Sequence, residues 1–132
     1  MSEINDKIAS RICNSLLDNN LKNCKEDNSL KFFRKDFESR TIWLNILRSH
    51  FTGEKINIEQ LARLIATTST ISKPTLRLIL DNAVHKGFLK FVKSKKDLRS
   101  VNIELEDITI KEFKDWCIER SKWFKISSSS FQ

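Results

Sequence analysis

Two groups of side chains in this sequence are of types that hold phosphate and read base edges. Thr70, Ser72, Lys73, Thr75 and Arg77 form the first, and Lys93, Lys95, Lys96 and Arg99 the second. Hydroxyls beside the free N–H groups of a helix start grip phosphate oxygens. Lys and Arg reach guanine O6 and N7 from the major groove. The second group suits a phosphate backbone or a narrow minor groove. Asp97, two residues before Arg99, is spaced to orient its guanidinium through a carboxylate hydrogen bond. This is the chemistry of binding, and no bond need be made or broken.

Bond-making chemistry has no comparable set. Two glycines in the chain exclude a phosphate-cradling P-loop, and no Ser-His-Asp set or paired-carboxylate motif stands out. His50 and His85 each stand alone near a helix end, so capping or a surface role outweighs metal ligation. Cys13, Cys24 and Cys117 are odd in number and lack metal-site spacing. They read as reduced, partly buried thiols of a reducing cytosol, with nothing to support redox sensing. The chain reads as a non-enzyme without a cofactor.

The elements that must position the binding groups follow from capping signals and apolar periodicity. Asn57 with Gln60 makes a capping box, and Leu61, Leu64 and Ile65 line one face of a helix over about 58–66. Thr67 to Thr70 turn the chain. Ser72 caps a second helix with Pro74 in its first turn, and Gly87 closes it. Leu76, Ile79, Leu80 and Val84 form its buried stripe, which leaves Lys73, Thr75 and Arg77 on the other side. A strand from Phe88 to Lys93, a polar tip, and the alternating run Val101, Ile103, Leu105 make a hairpin. Helix, sharp turn, helix and basic hairpin is the outline of a winged helix-turn-helix.

Charge points to the same stretch. Residues 56–100 hold 9 basic and 3 acidic side chains, residues 1–55 hold 10 and 8, and residues 101–132 hold 5 and 6. Most of the net +7 is therefore concentrated where the helix-turn-helix and its hairpin fall. A merely solvated lysine-rich face would give the same count, so charge alone does not decide.

At 132 residues, with 39% hydrophobic side chains, the chain suits one domain. No apolar run suits a membrane span, and the first residues lack a secretory signal, so the expected location is the cytoplasm and no membrane partner is expected. Ile4, Ile8, Ile12, Leu16 and Leu17 predict a helix over about 3–22, whose stripe must cover the rest of the domain or a second copy of the chain. Asn23 to Ser29 reads as a linker and Leu30 to Phe37 as the lead-in to a helix. Trp43, Leu44, Ile46, Leu47 and Phe51 give a buried pattern over 38–51, stopped by Gly53. Thr109 with Glu112 predicts a capping box for a last helix over 109–125, with Ile110, Phe113, Cys117 and Phe124 on its apolar face, and Ser127 to Ser130 a frayed tail. Trp43, Trp116 and Trp123 read as core or dimer anchors rather than base-stacking platforms.

The chain resembles the MarR family of bacterial transcriptional regulators. The matching residues are Leu61-Ala62, Ser72-Lys73-Pro74-Thr75, Lys86-Gly87-Phe88-Leu89 and Asp97-Leu98-Arg99, within about residues 38–108. The resemblance implies a mainly α fold with a small β-wing, flanked by N- and C-terminal dimerisation helices. It implies a homodimer on a palindromic double-stranded DNA operator, with Arg99 of the wing entering the minor groove, and a repressor by analogy. Past its wing the chain reads Leu105-Glu106-Asp107-Ile108, without the nearby Gly common in the family, and about 24 residues follow where the family has a long pair of helices. A small-molecule effector pocket in the dimer stays open, since no residue points to a ligand. The competing reading is a winged-helix module for protein interaction or replication, binding nucleic acid non-specifically.

Overall fold

In the computed structural model the backbone is described over residues 4–25, 28–97 and 99–130, and the side chains over 4–18, 28–97 and 99–122. The element order is α1 (Asp6–Lys25), α2 (Ser29–Phe33), α3 (Phe37–Phe51), α4 (Ile58–Ala66), α5 (Lys73–His85), β1 (Leu89–Lys93), β2 (Val101–Leu105) and α6 (Asp107–Ser130).

Local capping sets most of these boundaries. Asp36 Oδ1 accepts from the Ser39 N–H at 2.7 Å and opens α3. Asn57 Oδ1 accepts from the Gln60 N–H at 2.8 Å while Gln60 Oε1 accepts from the Asn57 N–H at 2.9 Å, the predicted capping box of α4. Ser72 Oγ accepts from the Thr75 N–H at 3.2 Å at the start of α5. The two glycines end α3 and α5, with φ of +76° at Gly53 and +81° at Gly87. After α5 the Gly87 N–H donates to Val84 O at 3.0 Å and the Phe88 N–H to Ala83 O at 2.9 Å. That pair of reversed bonds turns the chain straight into β1.

β1 and β2 form an antiparallel hairpin in the register Leu89↔Leu105, Phe91↔Ile103 and Lys93↔Val101. Its inner face joins a core of Leu61 and Ile65 from α4, Leu76, Leu80 and Ala83 from α5, and Ile42, Ile46 and Leu47 from α3. An aromatic cluster ties on the outer helices. Trp43 stacks on Phe33 of α2 at 6.2 Å and meets the edges of Phe113 and Trp116 of α6 at 5.4 and 6.3 Å.

The sequence-based boundaries need correction at both flanks. The first helix continues to Lys25 and the next begins at Ser29, so residues 23–25 and 29 of the expected linker are helical. The last helix begins at Asp107 and stays helical through Ser130, so the serine tail is not frayed. Thr109 and Glu112 make no capping box, because each is taken by a distant partner. The fully buried Thr109 hydroxyl donates to Phe88 O at 2.7 Å. Glu112 Oε1 accepts from the N–H and the hydroxyl of Ser29 at 3.1 and 2.6 Å, and so holds the start of α2 to α6. Leu44, Phe51 and Leu64, read as buried, are exposed, as are Cys13 and Cys117. Leu21, Cys24, Leu98, Trp123 and Phe124 lie outside the described side chains.

Helix α1 begins at Asp6, after Ile4; of the expected apolar stripe Ile8 alone is buried, Ile12 is half-buried, and Ile4, Leu16 and Leu17 are exposed. Among the described residues no helix is long and apolar enough to cross a membrane.

Candidate nucleic-acid interface

The turn Thr67–Ser72 and α5 present the first group of candidate residues, and the β1–β2 loop presents the second. Thr70, Ser72, Lys73, Thr75 and Arg77 are all exposed. Two of the five hydroxyl or cationic groups are engaged within the cap, since the Ser72 and Thr75 hydroxyls lie 2.9 Å apart. Lys73 pairs with Glu59 across the turn from α4. Arg77 Nε donates to Asp81 at 3.1 Å, and its guanidinium lies over the Phe91 ring of β1 at 4.9 Å. That stacking sets Arg77 at the junction of helix and wing. Its ion pair and that of Lys73 are exposed, and such pairs are worth no more than about 1 kcal/mol, so a phosphate can displace the carboxylate.

Lys93, Lys95, Lys96 and Arg99 are exposed, and among the described residues none forms an ion pair. Lys93 ends β1, and the other three stand on the loop between the strands. Ser94 Oγ accepts from the N–H groups of Lys96 and Asp97, each at 3.3 Å. The Ser94 N–H donates to Ser100 O at 2.9 Å. Asp97 Oδ1 accepts from the Arg99 main-chain N–H at 3.0 Å. The carboxylate therefore shapes the backbone as an Asx turn rather than gripping the Arg99 guanidinium, which corrects the expected hydrogen bond. Asp97 still orients the wing, through the main chain.

Three contributors were missed from sequence. Asn57 donates from Nδ2 to Ser100 Oγ at 3.2 Å, in addition to capping α4. With Ile103 N–H donating to Ile56 O at 2.8 Å, it pins the foot of the wing to the start of α4. This cross-link spans more than forty residues of sequence and leaves no local signal. Phe91 is the platform for Arg77. Leu78 lies on the outward face of α5 with Pro74 and Asn82, and helical phase alone could have found it, because it falls opposite Leu76, Leu80 and Ala83.

The two lone histidines stay apart from any ligand set. Among the described residues, no group of three or more His, Cys, Asp and Glu side chains is placed to hold a metal ion. His50 packs edge-on against Phe51 at 4.9 Å, and His85 is in the last turn of α5. A separate pocket of about 240 Å³ lies between the end of α3 and β2, lined by Ser49, His50, Glu54 and Glu104 among others. It is not part of the basic face.

No protein-family model matches the chain, and no curated protein matches it. Solved structures do. The YusO protein from Bacillus subtilis is 17% identical, with 98% of this chain and 87% of that chain covered and a TM-score of 0.54. A MarR protein from Peptoclostridium difficile is 17% identical, with 100% and 80% covered and a TM-score of 0.51. A MarR transcriptional regulator from Methanosarcina mazei is 26% identical over 70% of this chain, which spans 63% of that chain, with a TM-score of 0.46. The first two set the fold: a MarR-like winged helix, mainly α with a small antiparallel wing.

Proposed function

We propose that this MarR-like winged helix is a non-enzymatic, sequence-specific regulator that binds double-stranded DNA as a homodimer. The observation that carries the reading is the row of wing cations that form no ion pair among the described residues, beside the exposed face of α5. Such a row neutralises phosphates and releases counterions, and α5 supplies the groups that enter the major groove. Thr70, Ser72 and Thr75 serve phosphate at the start of α5; Lys73 and Arg77 serve the groove edge. Lys93, Lys95, Lys96 and Arg99 follow the backbone and minor groove.

The uncovered apolar residues support two copies. Ile4 just before α1, Leu16 and Leu17 of α1 and Ile118 of α6 are exposed in the single chain, and all have the chemistry to be buried against a partner. A dimer with its two α5 helices ~34 Å apart would meet successive turns of one DNA face, and so a palindrome. We assign repression as the mode and the cytoplasm as the location; an effector would act by changing that spacing.

Binding-site selection followed by footprinting tests the reading. The expected result is one palindromic site, protected with a steep loss of affinity as salt rises. Equal protection of all duplexes would replace it with a non-specific nucleic-acid module. Absence of salt-sensitive affinity for any duplex would refute it.

A further inference from the structure

Leu78 is 60% exposed, more than any other large apolar side chain among the described residues. A single exposed leucine is ordinary on a protein surface, so its position has to carry the argument. At 100° per residue, Leu78 sits near the centre of the face opposite Leu76, Leu80 and Ala83, which are buried. Pro74 lies one turn before it and Asn82 one turn after, both exposed. Arg77 is drawn aside by Asp81 and the Phe91 ring, and Lys73 by Glu59. Both cations thus lie to one side of an apolar centre instead of occupying it.

A second chain is a poor occupant for that centre. Helix α5 packs with α4 and β1, whereas the exposed apolar residues of α1 and α6 belong to the helices that pack with α2. The charge around Leu78 also points elsewhere. The segment 56–100 carries 9 basic and 3 acidic residues, which suits a polyanionic partner of the kind the DNA-binding reading supplies. On double-stranded DNA the apolar group that a major-groove helix meets is the C5-methyl of thymine.

We infer that Leu78 reads a thymine methyl, and that it is a specificity-determining residue of this protein. The inference rests on the DNA-binding reading above. It adds that one position in each half-site is thymine because of an apolar contact, not a hydrogen bond.

Replacing thymine by deoxyuridine removes that methyl and leaves every hydrogen-bonding group in place. The experiment scans the selected duplex with deoxyuridine, one symmetric pair of positions at a time, using the whole chain and its Leu78→Ala and Leu78→Met variants. The expected result is one position where the loss costs the parent about fourfold per half-site, from ~0.8 kcal/mol per buried carbon. Leu78→Ala is indifferent there, and Leu78→Met keeps the sensitivity. Circular dichroism checks that the exposed substitutions leave the fold unchanged. Salt-sensitive binding to the selected duplex with no sensitive position would overturn the inference and leave the DNA reading standing. So would a sensitive position that Leu78→Ala reads equally well. Absence of binding to any duplex would overturn both.

Discussion

Removing Lys95 and Lys96 together is the most direct quantitative test of the wing. Both are exposed, and among the described residues neither has an ion-pair partner. The loop keeps its shape in the double alanine variant, because Ser94 Oγ holds the main-chain N–H of Lys96 and Asp97, not their side chains. In the proposed dimer, two chains on one duplex present four such ammoniums. Each phosphate they neutralise contributes about 0.9 to the slope of log affinity against log salt, so the slope falls by up to about 3.6. Between 50 and 200 mM salt, a fourfold range, that shallower slope shrinks the parent's advantage by roughly 150-fold. Fluorescence anisotropy on a labelled duplex across that range measures it. A Lys111→Ala/Lys122→Ala variant is the control: it removes exposed cations of α6 that pair with Asp115 and Glu119, and its plot should run parallel to the parent's. Parallel plots for the wing variant would refute the phosphate contacts. An equal loss of slope in the control would reduce them to a general effect of net charge.

Further outcomes test the scaffold and its cysteines. Thr109→Val should lower stability by about 0.5–1.5 kcal/mol in urea denaturation, because Phe88 O loses the buried hydroxyl but keeps the Glu106 N–H at 3.1 Å. Asp36→Ala should cost about 1 kcal/mol by loss of the α3 cap. The Ser39 N–H, chiefly, holds the Asp36 carboxyl below its ordinary value. A lowered folded pKa means that its contribution is present above the usual carboxylate range and is lost as pH falls through the folded value. Unfolding midpoints measured down the acid range should therefore converge for parent and Asp36→Ala. Cys117 has its thiol pushed up, mainly by local burial, so it should alkylate more slowly at pH 8 than a model thiol. Mass-spectrometric time courses with iodoacetamide read that rate.

The winged outline was legible because it is written in local signals. Asn57 with Gln60, Ser72 with Pro74, and the two glycines each fix a boundary within a turn of chain, where hydrogen bonds between near neighbours decide. The hairpin followed from strict alternation at Val101, Ile103 and Leu105. Reading failed where a residue of the right local type is recruited by a distant partner. Thr109 and Glu112 have capping spacing, but Phe88 O and Ser29 take them instead. The surface residues of α3 misled for another reason: Leu44 and Phe51 extend an apolar pattern past the face that packs. At the candidate site, residue type alone picked out cations and hydroxyls, while the groups that position their side chains gave no local signal. The Phe91 platform and the Asn57 cross-link exist only once the hairpin has folded against α4 and α5.

That cross-link governs how the protein can adapt to its target. One amide, Asn57, is bonded both to the first turn of α4 and to the closing residue of the wing loop. Wing and helix-turn-helix are thereby tied at a set spacing. In the proposed DNA complex, stretching or tilting one of them to suit a longer or shorter half-site would break that tie. Under that proposal, tolerance to altered operator spacing resides chiefly in the joint between two chains, and mutations that loosen the joint should widen the range of spacings accepted without blurring the half-site itself.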